Sequence, residues 1–132
     1  MGKRHYRLTL ADALSAHETA LTFGSGLPGV ANLGLVESAI ARPYNGYHRS
    51  IERKAAALIE SMARNHGFAD GNKRTTIILM HMLLTRSGYR LVPASRGESV
   101  EDAAETMVLS VVTRNTSFQD IVAWFQARVQ RV

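Results

Sequence analysis

The sequence predicts a single all-α domain over residues 1–132, with about six helices around a buried central helix. Apolar residues recur at spacings of three and four along most of the chain, which is the period of an amphipathic helix. Ser or Thr followed three residues later by Asp marks three helix starts. The length of 132 residues and the 45% hydrophobic content suit one folded domain and exclude a disordered chain.

Capping residues and helix breakers divide the chain into successive helices. Thr9 and Asp12 form a capping box for the first helix, Pro43 follows the second, and Ser50 caps the third. Gly88 is the expected left-handed residue after the fourth, and a short extended piece follows it at 89–92. The predicted helices in chain order cover 9–23, 34–41, 50–64, 71–85, 99–112 and 117–129, the last with Val129 on its apolar side.

The fourth helix, 71–85, is the predicted centre of the fold. Its apolar residues point in almost every direction around the helix axis, and a helix that is apolar all round is a buried one. These residues are Ile77, Ile78, Leu79, Met80, Met82, Leu83 and Leu84.

A different local structure is predicted at Tyr44, Asn45, Gly46 and Tyr47. Asn-Gly is the strongest two-residue signal for a β-hairpin, because both turn residues need a positive φ. A small hairpin is therefore one expectation here. A plain surface loop is the other, since an isolated hairpin is barely stable in water.

Composition excludes several function classes. The chain has no cysteine, which excludes disulfides, thiolate metal sites and a cysteine nucleophile. No apolar run approaches the roughly 20 residues of a membrane span, and no secretory signal is recognisable, so we expect a cytoplasmic protein without a membrane partner. The net charge of +5 favours polyanionic partners such as nucleotides. A nucleic-acid partner is not expected, because no run of basic residues occurs.

The residues that could take part in catalysis or ligand binding cluster in the segment 66–75, HGFADGNKRT. His66 titrates near neutral pH and can accept a proton from a hydroxyl group. Asp70 offers a hard carboxylate oxygen of the kind that binds Mg²⁺ beside phosphates. Gly71 permits close approach of a ligand to the backbone at a helix N-terminus, which is a ready anion site. Lys73 and Arg74 are unfavourable against the helix dipole there unless an anion bridges them.

This segment resembles the signature H-x-F-x-[DE]-[GA]-N-[GK]-R of the Fic/Doc (Fido) family. The resemblance covers about 24–92 and is greatest to the Doc (death-on-curing) toxin branch. It implies an all-α Fido domain with ATP and Mg²⁺, in which His66 is the general base and Asp70 the metal ligand. It also implies that Gly71, Asn72, Lys73 and Arg74 bind phosphates. The segment of Tyr44, Asn45, Gly46 and Tyr47 lies where the family places a flap that clamps the target as an added strand.

Three positions depart from the pattern of AMP-transferring relatives. Gly67 replaces a proline, Lys73 replaces a second glycine, and Ile77 replaces a second arginine. Lys73 and Ile77 match the Doc branch, whose resemblance implies transfer of the γ-phosphate of ATP to a hydroxyl of a target protein such as elongation factor Tu. Gly71, alanine in Doc itself, favours the alternative of AMP transfer.

The family is restrained by an inhibitory helix with the motif [ST]-x-x-x-E-[GN], which does not occur in this sequence. The resemblance therefore implies a separate antitoxin protein that supplies this helix. Two alternatives remain open: a Fido-shaped binding module without catalysis, and a nucleic-acid binder that rests on the positive charge alone.

Overall fold

A computed structural model describes residues 5–23, 29–30, 32–65, 67 and 71–132. The all-α class is confirmed. The helices are α1 (Leu10–Phe23), α2 (Leu33–Ala41), α3 (Ile51–Asn65), α4 (Asn72–Arg86), α5 (Val100–Val112) and α6 (Phe118–Gln126). A 3₁₀ helix covers Arg42–Tyr44, and two short strands are β1 (Tyr89–Leu91) and β2 (Val129–Arg131). Within the described residues, no helix is both long enough and apolar enough to cross a bilayer.

Two helices share the centre of the fold. The predicted central helix α4 buries Leu79, Met80, Leu83 and Leu84. Helix α3 lies beside it and is buried along most of its length, which the apolar stripe in its sequence did not predict. Small side chains explain the difference, because the run Ala55–Ala56–Ala57 lets neighbouring helices approach α3 closely on several sides.

Side-chain caps fix the helix starts where the sequence predicted them. In α1 the Thr9 amide donates to Oδ2 of Asp12 at 3.0 Å, and the Asp12 amide donates to Oγ1 of Thr9 at 3.1 Å. Ser117 and Asp120 form the same reciprocal pair at α6. Each pair satisfies amides that the first turn of a helix leaves without an intrahelical acceptor.

The last helix ends earlier than predicted. Helix α6 stops at Gln126, and Val129 lies in strand β2 rather than on a helix. Strand β2 pairs antiparallel with β1, with Leu91 opposite Val129. Arg128 stabilises this turn by donating to both carboxylate oxygens of Glu98, at 2.9 and 2.7 Å. The chain therefore gains strand pairing in place of another helical turn.

The Asn45–Gly46 segment forms the loop rather than the hairpin. A type I′ turn needs a positive φ at both central residues. Gly46 has φ 93°, but Asn45 has φ −79° and ψ 2° and ends the 3₁₀ helix. The only sheet in the described part of the chain is the β1–β2 pair.

Candidate functional site

The chemistry-bearing segment connects the two central helices. Helix α3 ends at Asn65 and α4 begins at Asn72. The proposed base His66 and the proposed metal ligand Asp70 lie outside the described residues, together with Phe68. Gly67 and Gly71 are described, and they define how the loop is attached at both of its ends.

Gly67 is held against the N-terminus of α2. The Asn32 amide donates to the Gly67 carbonyl at 2.9 Å, while Oδ1 of Asn32 accepts from the Leu35 amide and caps α2. A Cβ atom at residue 67 would lie 2.5 Å from Cγ2 of Val36 and 3.0 Å from its backbone nitrogen. The departure from proline at this position therefore has a packing reason, since a side chain does not fit.

Gly71 forms the N-cap of α4 in a left-handed conformation, with φ 76° and ψ 14°. A Cβ atom there would lie 3.5 Å from Cδ2 of Leu21 and 3.6 Å from the ring of His17, both on α1. Glycine adopts this conformation without the steric penalty that other residues carry. Helix α1 therefore packs close to Gly71, the residue before the first turn of α4.

The first turn of α4 presents its charged side chains outward. Lys73 and Arg74 are exposed, whereas Thr75 and Thr76 are buried. Nη1 of Arg74 donates to the Ala20 carbonyl of α1 at 3.2 Å, which fixes the guanidinium beside the start of the helix. The N-terminal end of a helix carries a partial positive charge, which favours anions near it.

Lys73 and Arg74 also line a cavity of about 260 Å³ between α4 and α5. Ile77, one turn further along α4, lies in the same cavity wall. Two of the three departures from the AMP-transferring pattern, Lys73 and Ile77, therefore face one space. The α5 side of this cavity is lined by Glu105, Val108 and Leu109.

An ion-pair network joins the 3₁₀ helix to the end of α3. Nη2 of Arg42 lies 2.7 Å from Oε1 of the buried Glu60, and Nη1 of Arg64 lies 3.4 Å from Oε2. Arg64 immediately precedes Asn65 at the end of α3, just before His66. The network therefore connects the 3₁₀ helix, from which the proposed flap extends, to the C-terminal part of α3.

The four proposed flap residues differ in their surroundings. The Tyr44 hydroxyl donates to the Tyr6 carbonyl at 2.7 Å and accepts from the Leu8 amide at 2.9 Å. Burial raises the pKa of this phenol. Tyr47 is 81% exposed, and a Cβ at Gly46 would contact nothing within 4 Å. Tyr44 is therefore an anchor, and Asn45–Tyr47 is the part that is open to a partner.

His48 follows the flap and contacts α6. Its ring packs against Phe118 with centroids 5.2 Å apart, and its buried Nδ1 has no hydrogen-bond partner among the described residues. Burial, together with the charges of Arg53 and Arg42, lowers the pKa of His48. This histidine is therefore neutral near neutral pH.

No group of three His, Cys, Asp or Glu side chains that could hold a metal occurs among the residues that the structure describes. A magnesium ion needs only one or two carboxylates when phosphate oxygens and water complete its coordination. Asp70, which precedes Gly71 in the sequence, carries a carboxylate of the kind that such a site uses.

Several residues of the site were missed by the sequence analysis. Asn32 and Val36 hold Gly67, and Leu109 lines the cavity. Leu109 lies outside the buried stripe of α5 and is 50% exposed, but its approach to α4 depends on the tertiary fold and left no signal in the sequence. The contact of Val36 with Gly67 joins distant parts of the chain and left no local signal.

Comparisons with known proteins match the part of the chain that contains residues 66–75. The model of the Fic/DOC family matches residues 7–84, which include α1 to α3 and most of α4. Toxin Doc of Mycolicibacterium smegmatis (strain ATCC 700084 / mc(2)155) is 36% identical over 118 residues, covering 85% of each chain.

Proposed function

Since this chain belongs to the Fic/Doc family and to its Doc branch, we propose that it is a toxin that transfers the γ-phosphate of ATP to a hydroxyl group of a target protein. Family membership makes it a protein-modifying transferase. The choice of the γ-phosphate and the identity of the target are the parts that need testing.

The arrangement of charge in the first turn of α4 is the observation that carries the proposal. Gly71 begins α4 in a left-handed conformation, and Lys73 and Arg74 place two cations in the first turn of the helix. Two cations at the positive end of a helix dipole are unfavourable on their own. A triphosphate supplies the negative charge that makes this arrangement favourable.

His66 is the general base in this mechanism. It accepts the proton of the target hydroxyl while the hydroxyl oxygen forms a bond to the γ-phosphorus. The bond between that phosphorus and the β,γ-bridging oxygen breaks, ADP leaves, and the proton passes from His66 to solvent. Lys73, Arg74 and the helix amides hold the phosphates while the reacting atoms align.

Mg²⁺ would be held by Asp70 together with phosphate oxygens. When bound, it neutralises charge on the phosphates. The hydrogen bond from Arg74 to the Ala20 carbonyl holds a second positive charge near the first turn of α4, where it would also act on the phosphates.

The nature of the partners follows from the family. The target is proposed to be a translation factor, with elongation factor Tu as the first protein to test, and the exposed Asn45–Tyr47 is proposed to contact it. The branch acts in toxin–antitoxin systems, so a separate antitoxin that supplies the inhibitory helix is proposed as the second partner.

Labelled ATP tests the function directly. The protein is incubated with elongation factor Tu, and separately with a cell lysate, using ATP labelled on either the α- or the γ-phosphate. Label from the γ-phosphate alone supports the proposal, and no label after His66→Ala assigns the base. Label from the α-phosphate would overturn it and establish AMP transfer, which Gly71 favours. If neither label were transferred, the alternative of a Fido-shaped binding module without catalysis would be favoured.

A further inference from the structure

A cationic surface borders the exposed part of the proposed flap. It includes side chains from the N-terminal segment, the 3₁₀ helix, the loop before α3 and the first turn of α3, namely Arg7, Arg42, Arg49, Arg53 and Lys54. The first three of these residues are exposed, and the other two are partly exposed. Positive charge therefore precedes and follows Asn45–Tyr47 along the chain.

Contacts with the rest of the chain place Arg7 and Lys54 beside the flap. The Arg7 guanidinium lies over the Tyr44 ring, 5.1 Å from its centroid. Nζ of Lys54 donates to the Arg49 carbonyl at 3.3 Å, so the first turn of α3 is held next to the end of the flap. A guanidinium that already rests on a ring loses less freedom on pairing with a partner than an unsupported one does.

The surroundings of His48 show that the other cations also lie close by. Burial lowers the pKa of this ring, and the charges of Arg53, Arg42 and, more weakly, Lys54 lower it further. The Arg53 guanidinium lies over the Phe118 ring at 5.2 Å from its centroid, and the same ring packs against His48. These three cations therefore act together on one site that directly follows the flap.

Carboxylates neutralise only part of this charge. Oε1 of the buried Glu60 lies 2.7 Å from Nη2 of Arg42, but its Oε2 also pairs with Arg64. Glu60 raises the pKa of His48 by less than Arg42 lowers it. Glu52 is partly exposed in the first turn of α3. Within the described part of the chain, no carboxylate forms an ion pair with the other four cations, which are Arg7, Arg49, Arg53 and Lys54. Such an excess of like charge on a surface attracts an anionic partner.

From this arrangement we propose that the cationic surface docks an acidic surface of the target protein beside Asn45–Tyr47. The inference rests on the proposed function, because it assumes that Asn45–Tyr47 contacts a target protein. It deepens that function by giving the chemical class of the partner surface, which presents Asp and Glu side chains. Complementary charge of this kind speeds the encounter of two proteins and disfavours wrong partners, and salt weakens it.

A charge reversal at Arg49 tests this docking. Arg49 is exposed, and its side chain has no hydrogen-bond or ring partner in the described part of the chain. The substrate is the protein that accepts label in the labelled-ATP experiment, and transfer is measured at about 0.1 M and about 0.5 M NaCl. We expect Arg49→Glu to raise KM for the target about fivefold at the lower salt concentration and to leave kcat near the parent value. At the higher concentration the difference should shrink, because salt screens exposed charges.

Two control variants separate docking from other effects of the substitution. Arg49→Lys keeps the charge, so it should keep the parent KM at both salt concentrations. Arg96→Glu makes the same charge reversal at an exposed arginine in the loop before α5, outside the cationic surface, and should also keep the parent KM. Parent KM values for Arg49→Glu would overturn the proposal. So would an equal rise in KM for Arg96→Glu, because the net charge of the chain would then be the cause.

A nucleic acid is the other anionic partner, and it gives a different result. Binding of a fluorescently labelled single-stranded DNA is measured at the same salt concentrations. If Arg49→Glu weakens DNA binding and leaves KM for the target at the parent value, the surface binds nucleic acid and the proposal is overturned while the proposed function stands. If no protein accepts label from ATP, the proposed function fails and the inference fails with it.

Discussion

At the scale of single residues, the packing of Gly67 gives the sharpest prediction. A Cβ atom there would lie 2.5 Å from Cγ2 of Val36. We expect Gly67→Ala to destabilise the protein by about 1–3 kcal/mol, the usual cost of overpacking. We also expect it to lower kcat, because residue 67 is bonded to His66. Chemical denaturation and the γ-phosphate transfer assay measure the two effects.

The neighbouring side chain supplies the control for this prediction. Val36→Ala removes the Cγ2 atom that the new Cβ meets, so Gly67→Ala should be less damaging in the Val36→Ala background than in the parent. Rescue is partial, because the Val36 backbone nitrogen still lies 3.0 Å from the Cβ position. Strictly additive effects in this double-mutant cycle would show that the two sites do not interact.

Asp70 has two possible roles, and one substitution distinguishes them. The sequence alone also allows Asp70 to be the helix cap, but Gly71 is the N-cap of α4, so the alternative to metal binding is a structural role in the loop, in which Asn is a close substitute for Asp. As a ligand of Mg²⁺, Asp70 is not replaceable by Asn, because Asn lacks the charge. We expect Asp70→Asn to keep the parent stability in thermal unfolding and to lose most of the Mg²⁺-dependent transfer activity. Parent-level activity of Asp70→Asn would leave Asp70 with a structural role only.

At the scale of elements, the 3₁₀ helix and the loop after it divide into a structural and an exposed part. Tyr44→Phe removes the hydroxyl that bridges Tyr6 and the buried Leu8, and we expect a loss of about 1–3 kcal/mol in the free energy of unfolding. The control is Tyr47→Phe, whose hydroxyl is exposed and whose removal should change stability by less than about 0.5 kcal/mol.

The same pair of tyrosines tests the target-binding part of the function. Tyr47→Ala should lower the rate of target modification while stability stays at the parent value, because an 81% exposed side chain contributes little to folding. If Tyr47→Ala modified the target at the parent rate, Asn45–Tyr47 would not be the contact.

At the scale of the whole molecule, stability should depend on three partly buried histidines. Burial lowers the pKa of His5, His48 and His81 below 6.5. Below pH 6.5 the unfolded chain therefore binds more protons than the folded chain, so stability rises with pH through that range and falls on acidification. The Tm should be lower at about pH 5.5 than at about pH 7.5.

A histidine variant tests this dependence of Tm on pH, and Glu98 does not obscure it. His81→Gln should flatten the change in Tm between the two pH values, because it removes one of the three groups. Glu98 does not interfere, since the hydrogen bond from Arg128 lowers the pKa of its carboxyl from a starting value of 4.5. A Tm that rose on acidification would contradict the assignment.

The sequence predicted most of this architecture because its signals were local. The capping pairs at Thr9 and Ser117 and the left-handed Gly88 act within a few residues of chain, and the structure has all of them. The hairpin expected at Asn45–Gly46 does not form, because Pro43 belongs to a 3₁₀ helix that ends at Asn45 and gives this residue a negative φ. Val129 was misplaced because its strand partner, Leu91, is distant in sequence.

Two of the residues that line the cavity beside the start of α4 drew attention already in the sequence. Lys73 and Ile77 were singled out from the sequence as departures from a motif, and the structure places both in one cavity wall. What lies opposite them on α5 could not be predicted, because Glu105 and Leu109 approach α4 only through the tertiary fold. The contact of Gly67 with Val36 is inaccessible from sequence for the same reason.

The intact mass of the modified target is the most direct test of γ-phosphate transfer. We predict an adduct of one phosphate group with the parent protein, and a lower yield with Lys73→Gly, which removes the cation that we propose binds the triphosphate. Phosphate and AMP differ so much in mass that one spectrum distinguishes them. An AMP adduct formed by the parent protein would overturn γ-phosphate transfer as its activity.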